Sequence, residues 1–412
     1  MVGDKRNEMW SIIADKDLRP TYYDRFHCLA SGCELSCCIG WNIVFDKKDY
    51  LSMKQQDASP ELAERLGRAL HRIRDGRCDD NVYAEFNLPN GVCPLLRNDC
   101  LCALQAEKGS DALPWVCKIF PRDEKYLPSG YMERSLSPAC EGVLALLWEL
   151  PEGVDFVSDP LPKEKWRKLT MVGDVSLIRY YADIRELCID FLQDRRFPLA
   201  RRILMMGMAL RELVDGEKDI PGWLARSRAM ANTLASGGFP EEPEQEKLQA
   251  MLLMNIFQML RTFYTTNPEL QKIQEDLITC FGMSLSGDLG TLSLAPYYAA
   301  RERFEQNFGD REYFFENLVV SLLFQLHLPD PASVETLWKS YVNFCNVYAL
   351  YRFAAVMSCR EGAAGDKAEL FRMMVYISRV LVHNSTRRAE LRDELFQNDS
   401  ATLAHMAILL SG

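Results

Sequence analysis

Cysteines are the feature that most constrains this chain. Fourteen occur among its 412 residues, and after position 140 only Cys188, Cys280, Cys345 and Cys359 remain. The first 22 residues carry charges throughout and have no apolar core, so we expect no secretory signal. In a reducing compartment, clustered thiols serve metals or catalysis more often than disulfides. The sequence therefore predicts a cytoplasmic, cysteine-rich metal-binding module over residues 20–150.

Eight of these thiols have spacings that suit a soft metal ion. Thiolates about two to four residues apart converge on one ion when a turn brings their sulfurs together, and four complete a zinc site or a cubane iron–sulfur cluster. The candidate metal ligands are Cys28, Cys33, Cys37, Cys38, Cys93, Cys102, Cys117 and Cys140. The spacing leaves open one site, two four-coordinate sites, or buried structural thiols.

The remainder of the chain has the apolar pattern of helices, which predicts a mainly α fold. Residues 151–162 hold three prolines and are predicted to be a linker, followed by an α-helical domain over residues 163–412. The segment 20–150 is interrupted by Gly, Pro and Cys, so we expect it to be loop-rich. Helices are predicted near residues 59–74, 176–193, 199–215, 222–236, 248–263, 312–326, 333–358 and 370–381, and a short strand near 41–45.

Charge and hydropathy exclude two broad classes of partner. The net charge of −10 argues against a dedicated nucleic-acid binder, because phosphate contacts need dense Lys and Arg. No uncharged apolar stretch of about 18 residues is present, so membrane insertion is not expected.

The order of the cysteine motifs resembles that of the flagellin lysine-N-methylase family. The resemblance is specific over about residues 20–145 and weaker beyond, where residues 313–318 and 373–376 resemble the family's helical half. Cys78 and Cys100 have no counterpart in it. The matching motifs are Cys-x4-Cys-x3-Cys-Cys-x-Gly-Trp (28–41), Cys-Pro-x-Leu (93–96), Leu-Cys-x-x-Gln (101–105), Gly109, Cys-x-x-Phe-Pro-Arg (117–122), Ser-Leu-Ser (135–137) and Ala-Cys (139–140).

This resemblance implies an enzyme that methylates lysine side chains of flagellin in the bacterial cytoplasm. It further implies S-adenosylmethionine as the methyl donor and a cysteine-bound metal centre, a [4Fe–4S] cluster with zinc as the alternative metal.

No glycine-rich dinucleotide turn is evident, so we expect the donor in a non-Rossmann pocket at the junction of the two halves. The nearest glycine-rich candidate, residues 286–290, lacks the strand–turn–helix context. Spacings of three and four place Tyr313, Glu316 and Asn317 on one helix face. Tyr313 and Glu316 are the predicted catalytic residues. Asn317, Arg122 and Trp41 are the predicted cofactor-binding residues. The alternative explanation for Tyr313, Glu316 and Asn317 is a solvated polar helix face.

Two further functions use the same cysteines. One is a non-transferase iron–sulfur protein that serves in redox chemistry or partner binding. The other is a zinc module that supports a helical partner-binding domain. Metal analysis of anaerobically purified protein distinguishes the zinc module from the iron–sulfur hypotheses.

Overall fold

The structure is a computed structural model that describes residues 9–40, 43–76, 78–237, 268–280 and 294–410. The part before residue 173 contains strands in three sheets. Their bounds are β1 Met9–Ala14, β2 Lys16–Pro20, β3 Val44–Phe45, β4 Leu70–Arg72, β5 Ala84–Phe86, β6 Arg122–Tyr126, β7 Tyr131–Leu136, β8 Phe156–Pro160 and β9 Arg167–Val172.

The largest sheet has the order β6-β7-β2-β8. Strands β2 and β7 run parallel, and the other two pairings are antiparallel. A smaller sheet has the order β3-β5-β4, and β1 pairs with β9 as an antiparallel ribbon. Apolar residues of the small sheet pack in one cluster with Cys93, whereas Leu136 of the largest sheet packs in the cluster of the helices.

Short helices fill the spaces between these strands: α1 Lys47–Lys54, α2 Pro60–Ala69, α3 Ala103–Lys108, α4 Trp115–Ile119 and α5 Glu141–Trp148. The start of α2 follows from its sequence. The Ser59 side chain accepts a hydrogen bond from the Leu62 N–H, and Pro60 has no N–H to leave unpaired at the first position. Apolar residues of α2 and the small sheet form a separate core with Cys93.

The rest of the described chain is helical: α6 Val175–Arg179, α7 Tyr181–Gln193, α8 Leu199–Val214, α9 Ile220–Gly237, α10 Pro268–Cys280, α11 Ala295–Phe308, α12 Glu312–Gln325, α13 Val334–Met357, α14 Lys367–Ile377, α15 Ser385–Gln397 and α16 Leu403–Leu410. A π turn over Ser378–Val382 connects α14 to α15. No helix in the described ranges is long and apolar enough to cross a membrane.

One large core joins the helices to the largest sheet. Phe26, Leu136 and Val143 pack in the same cluster as α12 and α13. The side chains of α12 also bond to β7, where Ser321 donates to the Leu136 carbonyl and Gln325 donates to Ser135. The cysteine-rich loops are therefore held against the helical half.

The prediction of a mainly helical protein is confirmed, but the sheets were largely not predicted. The predicted strand near 41–45 is observed at Val44–Phe45, while Trp41 and Asn42 lie outside the described residues. Residues 156–160 of the predicted linker form the edge strand β8. The predicted helix at 248–263 and the glycine-rich candidate at 286–290 also lie outside the described residues.

Candidate functional site

A cavity of about 490 Å³ lies between the cysteine-rich loops and the helical half. One wall carries thiols and apolar side chains. The facing wall is polar and comes from β6, the segment after α12, and the π turn with α15. The thiols that line the cavity are Cys37, Cys38, Cys93, Cys102 and Cys117.

Backbone pairing brings these distant thiols together. The Cys93 N–H donates to the Cys38 carbonyl at 2.9 Å, and Ile39 bridges to Val92 beside them. A second bridge joins Leu96 to Cys102. The thiol wall is therefore built on main-chain hydrogen bonds.

The other three candidate ligands lie around the beginning of α5. Cys140 is the residue before this helix, and Cys33 donates from its sulfur to Glu141 Oε2 at 3.5 Å. The same oxygen accepts the N–H groups of Glu34 and Leu35, which fixes the loop. Cys28 and Cys140 are close enough for their charges to interact.

Burial keeps most of these thiols protonated. It raises the pKa of Cys93 and of Cys140 to about 11 and that of Cys33 to about 12. The adjacent Cys37 and Cys38 share a hydrogen bond that lowers the pKa of Cys37 and raises that of Cys38. A bound metal cation would lower the pKa of each thiol that it contacts, because bound thiols give up their protons.

The chemistry of the donor set fits a sulfur-bound metal. All fourteen cysteines are free thiols, and five of them share one cavity. Within the described ranges, however, no three His, Cys, Asp or Glu side chains converge closely enough to hold a metal ion.

The polar wall contains a chain of three side chains. Lys125 Nζ lies 2.8 Å from Asp123 Oδ2 and 2.5 Å from His327 Nε2, so the ammonium group can donate to both. Nearby, Ser137 Oγ lies 2.5 Å from His383 Nε2. All five residues line the cavity.

Both histidines of this wall are neutral at pH 7. Burial and, to a smaller extent, the nearby charges of Lys125 and Arg388 together lower the pKa of His327 and of His383 to about 4. Solvent reaches His383 from the cavity, yet surrounding protein still desolvates its ring. The wall therefore offers imidazoles as hydrogen-bonding groups, with positive charge supplied by Lys125 and Arg388.

Arg122, a predicted cofactor-binding residue, does line this cavity. Its Nη2 donates to the Phe26 carbonyl at 3.2 Å, and its guanidinium lies 5.1 Å from the centre of the Phe26 ring. The side chain thus joins the cavity wall to the large core. Trp41, another predicted cofactor-binding residue, lies outside the described residues.

The predicted catalytic helix face has protein partners. Tyr313 donates to the Trp148 carbonyl at 3.0 Å, and Asn317 donates to the carbonyls of Leu147 and Leu150 at the end of α5. Glu316 is 2% exposed and pairs with two arginines, described below. These contacts explain the three positions without a ligand, and none of the three lines the cavity. A catalytic role for Tyr313 and Glu316 stays an untested prediction.

Sequence reasoning missed the polar wall. Asp123 and Lys125 alternate along β6 and directly follow the Cys-x-x-Phe-Pro-Arg motif, which was the available signal. His327 and His383 stand 56 positions apart and follow no metal-ligand spacing, and only the fold brings them together.

Comparison with known proteins identifies the family. A model of the FliB lysine N-methylase C-terminal domain matches residues 185–409, more than half of the chain. Lysine-N-methylases of Salmonella typhimurium and Salmonella choleraesuis are each 32% identical over 137 residues, which is 33% of this chain and 33% of each relative. The flagellar biosynthetic protein FliU of Salmonella muenchen is 32% identical over 140 residues, 33% of this chain and 78% of that protein.

The aligned part of the chain therefore spans about a third of the length of the two methylases. No solved structure matches. The match over residues 185–409 covers the helices that form one side of the cavity. The chain belongs to the FliB lysine N-methylase family.

Proposed function

We propose that this protein is an S-adenosylmethionine-dependent protein-lysine N-methyltransferase that acts on flagellin surface lysines in the cytoplasm. Family membership and the names of the relatives, lysine-N-methylase and flagellar biosynthetic protein, support the reaction and the substrate. The observation that carries the proposal is the cavity between the thiol wall and the polar wall. Its volume of about 490 Å³ falls within the usual range for ligand pockets.

The chemistry of the transfer suits such a cavity. A lysine amine is nucleophilic only when neutral, and with a pKa near 10.4 roughly one in a thousand is neutral at pH 7. Apolar walls and nearby cations both favour the neutral amine. The nitrogen then attacks the methyl carbon, the C–N bond forms, and the electron pair of the broken C–S bond goes to sulfur.

Residues of the two walls provide different parts of the proposed site. Ile43, Phe86, Leu95 and Val116 exclude water. Arg122 and Arg388 offer guanidinium groups that can bind a carboxylate such as that of the donor. Tyr313, Glu316 and Asn317 remain alternative candidates for catalysis and donor binding, at the junction of α12 with α5.

The metal centre is part of the proposal. Cys38, Cys93, Cys102 and Cys117 would hold a thiolate-bound metal at the cavity wall, and Cys28, Cys33, Cys37 and Cys140 stand beside them. Crowding of free thiols supports this assignment. A bound [4Fe–4S] cluster, or zinc as the alternative, would crosslink the loops. Its role would be structural, because an amine nucleophile needs no electron carrier.

Calorimetry and mass spectrometry test the proposal. Anaerobically purified protein should bind S-adenosylmethionine. Incubation with flagellin should raise the mass of its lysines by one CH₂ for each methyl group transferred, because a methyl group replaces a hydrogen on the nitrogen. A protein that holds iron and sulfide but neither binds the donor nor modifies flagellin would instead be a redox or partner-binding iron–sulfur protein. Zinc without iron would indicate the structural zinc module.

A further inference from the structure

We propose that Asp123 binds the ammonium group of the acceptor lysine and takes its proton before methyl transfer. This inference rests on the proposed function and names the catalytic residue of the cavity. It differs from the assignment of Glu316, whose carboxylate is closed off by arginines.

Asp123 is the one carboxylate among the described residues that line the cavity. An ammonium group entering from water needs a negative partner, and here the other charged side chains on the wall are Arg122, Lys125 and Arg388. The Asp123 side chain is 32% exposed, so a ligand can reach it. Its position on β6 is fixed by the antiparallel ladder with β7, in which Asp123 is opposite Ser135.

The ammonium group of Lys125 is already bound by this wall and shows which atoms can bind a second one. Its Nζ lies between Asp123 Oδ2 and His327 Nε2, at 2.8 and 2.5 Å. An ionised carboxylate has room for about four hydrogen bonds, so one from Lys125 leaves capacity for a second donor. The acceptor lysine can therefore approach Asp123 while Lys125 stays in place.

A resident cation beside the acceptor also favours proton loss. Two ammonium groups that share one carboxylate repel each other, and this like-charge contact disfavours the charged form of the incoming lysine. The proton passes from the acceptor nitrogen to an Asp123 oxygen, which leaves a neutral amine and a carboxylic acid. After C–N bond formation and C–S bond cleavage, the acid returns its proton to solvent.

Asp123→Asn tests this assignment, with Glu124→Gln as the control. Glu124 follows Asp123 on the same strand, is exposed, and does not line the cavity. We expect Asp123→Asn to lower kcat about 10²–10⁴-fold, the usual contribution of a general base. Donor affinity by calorimetry and the thermal midpoint should match those of the wild-type protein, and Glu124→Gln should keep wild-type kcat.

The pH dependence separates proton transfer from a structural effect. Below the lysine pKa, the fraction of neutral amine rises about tenfold for each unit by which the pH increases. The defect of Asp123→Asn should therefore shrink as pH rises from 7 to 9. The charged and titratable groups around Asp123 are Arg122 and Lys125 on β6, Glu133 opposite Lys125 on β7, the neutral His327 and His383, Arg388, and the thiols of the facing wall. Among these thiols the pKa of Cys37 is lowered to about 7, but each pH compares the variant with the wild-type protein, so a titration common to both cancels. A Lys125→Met series measured alongside keeps Asp123 and removes the cation beside it.

The outcomes are distinct. If Asp123→Asn keeps kcat within about threefold of wild type, where a general base contributes at least about 10², the inference is wrong while the proposed function stands. A defect of Asp123→Asn that stays the same from pH 7 to pH 9 would also overturn it. A wild-type protein that binds no donor and methylates no lysine would overturn the proposed function and this inference together.

Discussion

At the scale of single residues, Glu316 has structural partners that account for its buried position on the α12 face. Its side chain is 2% exposed, and its two oxygens accept hydrogen bonds from Arg195 and Arg202 at 2.6 to 3.2 Å. Arg202 is itself 3% exposed and also donates to the carbonyls of Phe197 and Leu192. Such a network is held together because each buried charge has partners.

Replacing Glu316 should therefore affect stability more than catalysis. Glu316→Leu leaves the buried Arg202 with only the more distant Glu312 carboxylate at 4.0 Å, and loss of one partner of a buried pair costs about 3–5 kcal/mol of unfolding free energy in comparable cases. Chemical denaturation measures this loss, with Glu305→Gln at an exposed position of α11 as the control. If the milder Glu316→Gln kept its fold but lost methyl transfer, the catalytic role predicted from the sequence would be supported instead.

The neutral histidines of the cavity predict how stability depends on pH. The folded pKa of His327 is lowered to about 4 from 6.5, so the unfolded chain binds a proton that the folded chain does not. The stabilising effect of the neutral ring is present above pH 6.5 and is lost as pH falls towards 4. Allowing for partial exposure, we expect His327→Gln to flatten the curve of unfolding free energy by about 1–2 kcal/mol over that interval.

Urea denaturation at pH 4, 5, 6 and 7 measures this effect. His405→Gln, a change near the C-terminal end and away from the cavity, should keep the wild-type slope. Equal slopes for wild type and His327→Gln would show that His327 is not held neutral.

The residues of the cavity differ in how far the sequence predicts them. The cysteines and Arg122 could be singled out because they form local motifs, and six of these residues do line the cavity. The two histidines could not, since the left-handed backbone at His327 and the π turn before His383 orient them only in the folded chain. Tyr313, Glu316 and Asn317 share a helix face as predicted, but spacing alone does not tell what that face contacts.

At the scale of elements, the π turn between α14 and α15 connects the helical half to the cysteine loops. Arg379 in this turn donates to the carbonyls of Leu35 and Ile39, at 2.8 and 2.9 Å, and to that of Ala139 at 3.5 Å. These carbonyls flank Cys37–Cys38 and precede Cys140. One arginine thus orients two of the cysteine-bearing segments, and π turns are frequent at functional sites.

Removing this guanidinium should lower metal content although no thiol is lost. We expect Arg379→Met to reduce bound iron or zinc per chain by half or more, because two loops would lose hydrogen bonds to a charged donor, each worth about 1.5–3 kcal/mol. Elemental analysis after anaerobic purification measures this. Arg372→Met, an arginine of α14 that pairs with Glu369, is the control, and an equal metal loss in both variants would argue against a specific role of Arg379.

The sequence predicts the bounds of helices better than it predicts strands, because helix signals are local in the chain. The long helices α8, α12 and α13 lie within a residue or two of their predicted bounds, because apolar spacing and caps are local. The predicted helix at 59–74 instead ends at Ala69, and Leu70–Arg72 join β5 as β4. The sheets depend on pairings between distant segments, such as β2 with β7 and β8, which no local pattern reveals.

At the scale of the molecule, the cavity lies where the small core meets the large core that the helices share with the largest sheet. The small core carries the thiol wall, the largest sheet provides β6, and the helices complete the site through the π turn and the segment after α12. A metal held by thiols from residues 38 to 117 would crosslink segments far apart in sequence. Metal binding and folding of this part should then be coupled, since the unfolded chain lacks a preformed site.

Cysteine replacements test this coupling. Cys93→Ser and Cys117→Ser should each lose metal and solubility together and lower the thermal midpoint, because a missing thiolate leaves the loops unlinked and the buried small core exposed. Cys100→Ser is the matched control, since Cys100 is exposed, stands two residues from Cys102, and does not line the cavity. Metal analysis and thermal scans on the same samples compare the three variants. Full metal content in both Cys93→Ser and Cys117→Ser would remove these thiols from the ligand set.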